Sequence, residues 1–450
     1  MRLPKPNEKV SIFIYFLLYF CNIFSRQCIG QQWTSQDSGD GAYNNVSCIA
    51  HDTKYTCDCR NTNEYMTLPR LDGYVYQIEI SNCKHMYVRP HALANIQGLR
   101  TVIFKKVENL ILTSNALSFP IHTSNTPLYV EFKEVKIEII ESHAINGNIG
   151  EITFISSTIE SIRPFAFTTL KDHSILFKMD GVKINNIEPQ ALKKFTIDQL
   201  EIVNSEFLSE VPSKVFYELE VLTFLRIQNV TFKKVHTRAF SFNVVKKLSV
   251  IGNKFDRTES EWITAQVRDR VLIKDNNFGT TSHIAFKAIE VSKEVAFLER
   301  VELQFINNIV KFNNDPQALV FNDKIQLQIT HLQYHNQFPC KELDKTQPKS
   351  PFFRTYSENI YFHTKNNNQS LTLSKIIDVD CKEKSYLLYI ILGIISLILI
   401  VIVITAIIVM RIVKKRRKRM LDVVLPESRT YKETQIVYQI ENAGLLKTDL

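Results

Sequence analysis

A template that recurs along most of the chain constrains the fold more than any other feature of the sequence. Each copy begins apolar-any-apolar, has apolar residues seven and about ten positions after the start, and has a small residue at fourteen, usually alanine, before a large apolar one. One copy has Ile152, Phe154, Ile159, Ile162 and Ala166 at these positions. The copies start at Ile78, Val102, Val130, Ile152, Phe177, Leu200, Leu225, Leu248 and Val271, at intervals of 24, 28, 22, 25, 23, 25, 23 and 23 residues, with weaker copies near Leu303 and Leu327. A template held in register over this length indicates a repeat protein.

The physical interpretation of the template is a solenoid. Its apolar-any-apolar start is typical of a short strand with alternate side chains pointing inward. Valine, isoleucine and phenylalanine crowd these positions, as pleated surfaces favour. The later apolar positions and the alanine are expected to fill the same core from the return path. Because no single unit can bury its own apolar face, the units must stack on one another.

Several segments of the template resemble the repeats of the extracellular leucine-rich repeat family, in particular those of its single-pass transmembrane proteins. Residues 162–167 and 187–192 look like the convex-side signature of that family, and residues 248–255 and 271–278 look like its strand-and-asparagine segment. The resemblance covers residues 76–332. It implies a leucine-rich-repeat-like solenoid of short parallel strands joined by mostly irregular or short helical returns. A right-handed β-helix is the alternative fold.

The chain departs from that family at one position. The family usually has asparagine five residues after the strand start, where its side chain bonds the backbone of neighbouring turns. Of the nine copies, only those with Asn253 and Asn276 conform. The other seven have Cys83, Val107, Val135, Ser157, Val182, Ser205 and Val230. The middle turns must therefore satisfy their backbone groups in another way.

The N-terminal 30 residues have the pattern of a signal peptide. Basic residues precede the apolar run of residues 11–20, and the small residues within 28–30 indicate cleavage before Gln31. The segment that follows would then lie outside the cell or in a lumen, where disulfides form.

A second apolar segment, residues 386–410, predicts one transmembrane helix. Its 25 residues contain no charge and exceed the roughly 30 Å of a hydrocarbon core at about 1.5 Å per residue. The basic cluster Lys414–Arg419 follows at once, so the positive-inside rule predicts a cytoplasmic tail at residues 411–450. The sequence thus predicts a type I plasma-membrane protein that spans once, with its N-terminus outside and the basic cluster on anionic lipid.

The net charge of +9 does not indicate a nucleic-acid partner. The first 30 residues contribute +3 and residues 411–450 contribute +5, which leaves +1 for everything between. A nearly neutral ectodomain offers no basic face of the kind that binds phosphates.

Six cysteines remain once Cys21 and Cys28 leave with the signal peptide. The family resemblance implies disulfide-bonded caps at both ends of the solenoid, here an N-terminal cap at residues 31–75 and a C-terminal cap with juxtamembrane stalk at 333–385. The pair Cys340–Cys381 is predicted at the C-terminal end. Zinc at the C-x-C motif is disfavoured, because no histidine pair at ligand spacing lies nearby. At the other end, three pairings are open among Cys48, Cys57, Cys59 and Cys83.

Short motifs predict modification and sorting. Glycosylation sequons begin at Asn45, Asn229 and Asn368. The chain ends with Thr448, Asp449 and Leu450, which resembles a class I ligand of a cytoplasmic PDZ protein. Just before it, Glu441, Leu445 and Leu446 resemble an acidic dileucine sorting signal, and Tyr431 and Tyr438 are candidate phosphorylation sites.

No catalytic motif emerges from the sequence, and no metal or cofactor is expected. The acid pairs Glu299/Glu302 and Asp269/Asp275 are interpreted as solvated repeat surface, and His236 and His283 as structural residues near turns. The predicted function is a non-enzymatic cell-surface recognition protein, an adhesion molecule or receptor, whose repeats bind an extracellular protein ligand or a second copy. The alternative is a membrane assembly or trafficking subunit of another complex, although no G-x-x-x-G motif supports helix association.

Overall fold

The computed structural model describes residues 47–60, 65–68, 70–119, 126–168, 174–295, 300–344, 346–364, 369–381 and 386–423. Two compact units divide the chain after Cys381 and are considered separately. The first unit is a parallel-strand solenoid of about 12 turns with little helix, which confirms the predicted fold class.

The first sheet of the solenoid is built from the apolar-any-apolar segments. Its strands are parallel and follow one another in chain order, except for an antiparallel first strand. They are Ser47–His51, Lys54–Asp58, Gln77–Ser81, Thr101–Lys105, Leu128–Lys133, Ile149–Ile155, Ser174–Asp180, Thr196–Val203, Phe216–Gln228, Phe240–Ile251, Ile263–Lys274, Glu302–Ile306 and Gln326–Thr330.

The return path forms a second sheet, so it contains more regular structure than the predicted irregular or short helical returns. This sheet is also parallel, apart from its antiparallel last strand. Its strands are Tyr65–Leu68, His85–Val88, Asn109–Leu112, Lys136–Ile140, Thr158–Ile162, Lys183–Ile187, Glu206–Phe207, Thr231–Val235, Lys254–Thr258, Asn277–Thr281, Ile309–Lys311, Leu332–Tyr334, Ile360–His363 and Ser370–Thr372.

Short strands on a third side complete several turns. Two parallel pairs stand alone, and two further strands pair with long strands of the first sheet. They are Asp72–Tyr74 with Asn95–Gln97, Leu117–Phe119 with Ile145–Gly147, Leu192–Lys193 with Phe216–Gln228, and Ile289–Val291 with Ile263–Lys274.

The core is a continuous apolar column between the two sheets. Alternate residues of the first-sheet strands point inward, as in Leu128–Lys133. Equivalent phenylalanines of successive turns stack face to face, with ring centroids of Phe132 and Phe154 4.7 Å apart and those of Phe255 and Phe278 4.9 Å apart. Each unit therefore buries the aromatic rings of its neighbours, which is why the units are stable only as a stack.

Left-handed backbone marks the corner between the first and second sheets in almost every turn. A φ of +48° to +67° recurs at Asn82, Lys106, Glu134, Ser156, Gly181, Asn204, Asn229, Gly252, Asp275, Asn307 and His331. Most of these residues are not glycine, so each conformation has a steric cost. It is offset by stacking, since corner N–H groups donate to the next turn, for example from Ser156 to the Asp180 carbonyl at 2.8 Å.

An asparagine ladder runs inside the last turns. The Oδ1 atom of Asn276 accepts from the backbone N–H of Asn253 at 2.9 Å, and its Nδ2 donates to the Val250 carbonyl at 2.8 Å. Asn308 repeats the arrangement for Asn276, with its Oδ1 3.0 Å from the Asn276 nitrogen. All three side chains are buried. The ladder thus satisfies backbone groups that the sheets leave unpaired.

In two of the middle turns, serine takes the place of asparagine and satisfies backbone groups of the neighbouring turn. The Ser205 hydroxyl accepts from the Val182 N–H at 3.0 Å and donates to the Val203 carbonyl at 2.7 Å. Ser157 accepts in the same way from the Val135 N–H at 3.1 Å. Val135, Val182 and Val230 are therefore each served by a polar side chain in the next turn, which is Ser157, Ser205 and Asn253, respectively.

Both ends of the solenoid are covered and cross-linked, and the disulfide Cys59–Cys83 joins the predicted cap 31–75 to the first repeat. At the C-terminal end, the Tyr356 hydroxyl donates to the Leu327 carbonyl of the last first-sheet strand at 3.1 Å. The closing elements are the 3-10 helix Cys340–Glu342, the strand pair Leu343–Asp344 and Gln347–Pro348, the α-helices Pro351–Thr355 and Leu373–Ile376, and the π-helix Ile377–Cys381. The disulfides are Cys48–Cys57, Cys59–Cys83 and Cys340–Cys381.

The second unit contains the helix Tyr386–Val423. Its stretch Tyr389–Arg419 is long and apolar enough to cross a membrane. The helix continues past the predicted end at Met410 through the basic cluster, because lysine and arginine are good helix formers and no proline or glycine interrupts them.

Candidate recognition surface on the first sheet

The outer face of the first sheet is a regular surface that extends along the whole solenoid. Its outward side chains form rows across the strands, because parallel pairing sets equivalent residues side by side. We define the first outward row as the register neighbours Thr101, Tyr129, Glu151, Leu176, Gln199, Phe224, Lys247, Arg270 and Glu302. The second outward row is Ile103, Glu131, Thr153, Lys178, Glu201, Arg226, Ser249, Leu272 and Gln304. The third outward row is Lys105, Lys133, Ile155, Asp180, Val203, Gln228, Ile251, Lys274 and Ile306.

Charge is distributed unevenly along these three rows. From strand Thr101–Lys105 to strand Thr196–Val203 they hold Glu131, Glu151, Asp180 and Glu201 against Lys105, Lys133 and Lys178, which gives −1. From strand Phe216–Gln228 to strand Ile263–Lys274 they hold only cations, namely Arg226, Lys247, Arg270 and Lys274, which gives +4. The lysines of the first group lie mainly in the third outward row. The first outward row is therefore acidic at Glu151 and basic at Lys247 and Arg270.

Several charges elsewhere on the solenoid pair between neighbouring turns, although Glu138 and Lys183 of the second sheet pair with no described side chain. Lys136 lies 3.4 Å from Glu160, and the guanidinium of Arg238 lies 3.1 Å from Glu261. In contrast, Glu131, Glu151, Glu201 and Arg270 form no side-chain hydrogen bond or ion pair with any residue that the structure describes. These four charged groups on one face are thus available to a partner.

Glu151 is the most unusual of these groups. In the first outward row it has Tyr129 on one side and Leu176 on the other. Burial among these neighbours raises the pKa of its carboxyl. A partly desolvated carboxylate without a counter-ion is unfavourable, and a cation on a partner would relieve this cost.

An open groove at the corner of the two sheets is a less specific feature. Its lining includes Arg60, Lys106, Glu108, Glu134 and Lys136 next to the Cys59–Cys83 disulfide. Cations and carboxylates alternate there, so the groove does not select one class of ligand.

A charged cluster on the second sheet has a structural role. His236 lies 2.7 Å from a Glu210 oxygen and 3.3 Å from a Glu259 oxygen, and Lys234 contacts both carboxylates at 3.2 and 3.4 Å. The cluster links three successive turns. His236, which the sequence assigned to a structural role near a turn, is therefore part of an inter-turn network.

Glu259 gives this cluster a pH dependence. Burial raises the pKa of its carboxyl, but the Thr237 backbone N–H and the charges of His236 and Lys234 outweigh burial and hold that pKa below its usual 4.5. A folded-state pKa below the unfolded value stabilises the fold above pH 4.5, and this stabilisation is lost as the pH falls through the folded-state pKa.

We expect the difference in the free energy of unfolding between wild type and Glu259→Gln to shrink below pH 4.5. Urea unfolding at several pH values, followed by the emission of the buried Trp262, measures this difference. Glu138→Gln, which alters an exposed residue, is the control.

Asn229 is the one predicted glycosylation site among the described residues. It is exposed at the corner between two strands, with a φ of 54°, and its Nδ2 donates to Asn204 Oδ1 at 3.3 Å. We expect Asn229→Gln to remove one glycan and so to increase gel mobility by the same amount as a glycosidase acting at that site. Asn204→Gln, at the same corner of the preceding turn but without a sequon, should leave mobility unchanged. Equal mobility of Asn229→Gln and wild type would contradict a lumenal, solvent-facing corner.

Some of the remaining sequence predictions concern residues that the structure describes, and others concern residues outside them. All six predicted cysteines lie in disulfides, including the predicted pair Cys340–Cys381, and the pairing left open at the N-terminal end is Cys48–Cys57 with Cys59–Cys83. The signal peptide, Asn45, Asn368, the dileucine residues Glu441, Leu445 and Leu446, Tyr431 and Tyr438, and the C-terminal Thr448, Asp449 and Leu450 lie outside the described residues.

The sequence did not single out Glu151, Lys247 or Arg270. Each occupies an outward strand position, where a charged residue in one repeat is ordinary. The signal was present as a trend along equivalent positions of the template, from acidic to basic, and it needs the strand register to be recognised. Of the acid pairs considered earlier, Asp269 and Asp275 have separate partners: Asp269 pairs with Lys247 at 3.6 Å, and Asp275 accepts from Asn307 at 2.7 Å. Glu299 of the other pair lies outside the described residues.

The chain matches no protein-family model, no curated protein sequence and no solved structure. Its function is therefore argued from its own geometry.

Proposed function

We propose that this protein is a non-enzymatic recognition protein of the cell surface, an adhesion molecule or receptor of the leucine-rich-repeat type. The observation that carries the proposal is the outer face of the first sheet, which presents charged groups without partners on a rigid scaffold attached to one apolar helix. Rigid solenoids offer extended surfaces to protein ligands, and unpaired charges on such a surface favour a complementary partner.

The membrane topology follows from charge. Seven cations lie between Arg411 and Arg419, immediately after the apolar stretch, and favour a cytoplasmic location for that end of the helix. The solenoid is then outside the cell, in the compartment where its three disulfides are stable. The cluster itself lies at anionic headgroups of the inner leaflet.

The cytoplasmic tail acts through peptide motifs. Its last three residues bind a PDZ domain by adding a strand to a sheet edge, with Leu450 in an apolar pocket. The nearby dileucine motif sorts the protein during trafficking. Since the two motifs almost adjoin, one partner occupies the tail at a time.

Surface labelling of intact cells tests this proposal. A first epitope tag is inserted after Gln31 of the full chain and a second tag after Glu427. We expect antibody to label the first tag on unpermeabilised cells and the second tag only after permeabilisation. Removal of Thr448–Leu450 should redistribute the labelled protein, and Thr448→Ala should act like the truncation, whereas Thr448→Ser retains the hydroxyl and the wild-type distribution.

The opposite labelling pattern would contradict the proposal. If the first tag stays inaccessible on unpermeabilised cells, the protein is not displayed at the surface. An assembly or trafficking role on an internal membrane then explains the tail motifs better.

A further inference from the structure

We propose that the partner recognised by the first sheet is a second copy of this chain, docked antiparallel, outer face against outer face. The proposal rests on the cell-surface function above and names its ligand. The argument comes from the order of side chains along the first outward row.

The first outward row is self-complementary about its middle residue. A two-fold axis that runs along strand Thr196–Val203 reverses the order of turns but leaves each row opposite the same row. With Gln199 on the axis, Leu176 faces Phe224 of the second copy, one turn away on each side. Two turns from the axis, Glu151 faces Lys247 of the second copy, whose ammonium lies 3.6 Å from Asp269 of its own chain and would be shared between the two carboxylates.

The outermost contact of this row extends the match. Three turns from the axis, Tyr129 faces Arg270 of the second copy, as a phenol ring and a guanidinium that form a cation–π contact. The symmetry doubles every contact, so one dimer has two apolar pairs, two ion pairs and two cation–π pairs. Glu151, whose carboxylate has no counter-ion among the residues that the structure describes, gains one in this arrangement.

The second and third outward rows contain both favourable and unfavourable pairs. Ile155 faces Ile251 of the second copy, whereas Lys178 faces Arg226. Lys178 is paired with Asp180 at 3.2 Å in its own chain, the two Glu201 side chains face each other on the axis, and Lys133 faces Lys274 of the second copy. The first outward row therefore determines the register of the dimer.

The scaffold is suited to contact between two sheets. The first and second sheets are both hydrogen-bonded from turn to turn, so both sides of the solenoid rise by about 4.8 Å per turn. Equal rise on opposite sides removes the cause of horseshoe curvature and leaves the outer face open to a second sheet.

The contact area indicates a weak interface that acts in arrays. The patch from Tyr129 to Arg270 spans six turn intervals, about 30 Å, and about 16 Å along the strands. Two such patches bury roughly 1,000 Å² in total, at the low end for specific protein contacts. We infer that the dimer forms between copies on two adjacent cells, where many copies act together and avidity compensates for low affinity.

Charge reversal between two cell populations tests the proposal with the full chain. Cells that do not otherwise aggregate express Glu151→Lys, and a second, differently labelled population expresses Lys247→Glu. In the self-contacts of either variant, like charges face each other, so we expect aggregation within each population to fall about tenfold or more from wild type. When the two populations are mixed, opposite charges face each other at both sites, so mixed aggregates should form at close to the wild-type level.

Two reversals on the second sheet serve as matched controls. Glu138→Lys and Lys183→Glu alter exposed residues that pair with no described side chain, and both should aggregate like wild type. Surface amounts of all variants are equalised with the tag after Gln31, which also excludes misfolding as the cause of any loss.

Three results would overturn the inference. They are a lack of aggregation by wild-type cells, full aggregation within both reversed populations, and a failure of the mixed populations to recover. Each leaves the surface-labelling result unchanged, so failure of the homophilic contact is distinguishable from failure of the proposed function. Wild-type cells that bind other, non-expressing cells through the same face would indicate a different protein ligand.

Discussion

Replacement of Phe278 by alanine is expected to lower the free energy of unfolding of the solenoid by about 4 kcal/mol. Phe278 is completely buried and stacks on Phe255 with ring centroids 4.9 Å apart. Its ring also meets Phe286 edge-on at 5.1 Å and lies 6.3 Å from Phe305. Truncation would leave a cavity that the rings of three turns border, and stacked sheets on two sides prevent its collapse.

Urea unfolding of the full chain in detergent micelles, followed by circular dichroism, measures this loss. Phe278→Leu is the matched control, because it keeps most of the volume and should cost less than about 1.5 kcal/mol. In a solenoid each turn contacts only its neighbours, so the defect should weaken the stack locally and lower the cooperativity of unfolding. Similar small losses for both variants would contradict a continuous aromatic core.

Replacement of Asn276 by alanine is expected to destabilise the solenoid by about 3 kcal/mol. The side chain accepts from the Asn253 backbone N–H and donates to the Val250 carbonyl, with both partners in the preceding turn. Alanine leaves these buried groups without partners, at a cost of about 1–3 kcal/mol for each unsatisfied group. Water cannot replace the amide without a polar cavity at this position.

The neighbouring residue provides the control for the ladder. Asn277 is exposed on the outer face of the second sheet, so Asn277→Ala should change the free energy of unfolding by less than about 0.5 kcal/mol. Asn276→Ser should recover part of the loss, because serine performs the same task at Ser205 in an earlier turn. The ladder would have no energetic role if Asn276→Ala and Asn277→Ala unfolded at the same urea concentration.

The repeat template predicted the first sheet and the core residues of the second. It did not reveal the second sheet as a strand layer. In strand Thr158–Ile162 the buried residues are Ile159 and Ile162, three apart rather than two. Buried and exposed residues therefore do not alternate, and the sequence predicts an irregular return. The backbone is nevertheless extended and hydrogen-bonded to both neighbouring turns.

Asn308 shows a second reason for incomplete prediction. It completes the ladder with Asn276, yet 32 residues separate the two, compared with 23 between Asn253 and Asn276. The longer turn shifts the repeat out of its usual interval. Ser157 and Ser205 were identified as departures from the asparagine pattern, but their equivalence to asparagine depends on hydrogen bonds that only the stacked turns create.

The candidate recognition surface could likewise be recognised only once the register of the strands was known. Glu151, Leu176 and Phe224 are far apart in sequence and become neighbours of one row only when the strands are paired. Composition gives a net charge of only +1 for residues 31–410, and this average conceals the acidic and basic parts of one face. The repeat template aligns these positions, but only the paired strands show that their side chains form one row.

A glycan placed on the outer face of the first sheet tests the central claim, that this face is the recognition surface, most directly. Glu151→Asn creates an Asn-x-Thr sequon with Thr153 at the middle of the face, and Asp256→Asn creates one with Thr258 on the second sheet. Aggregation of cells that express the full chain is compared once gel mobility confirms glycosylation and surface labelling confirms equal amounts. We predict that the glycan on the first sheet abolishes aggregation and that the glycan on the second sheet leaves it intact. Aggregation that survives the first glycan, or is lost only with the second, would contradict the assignment of recognition to the first sheet.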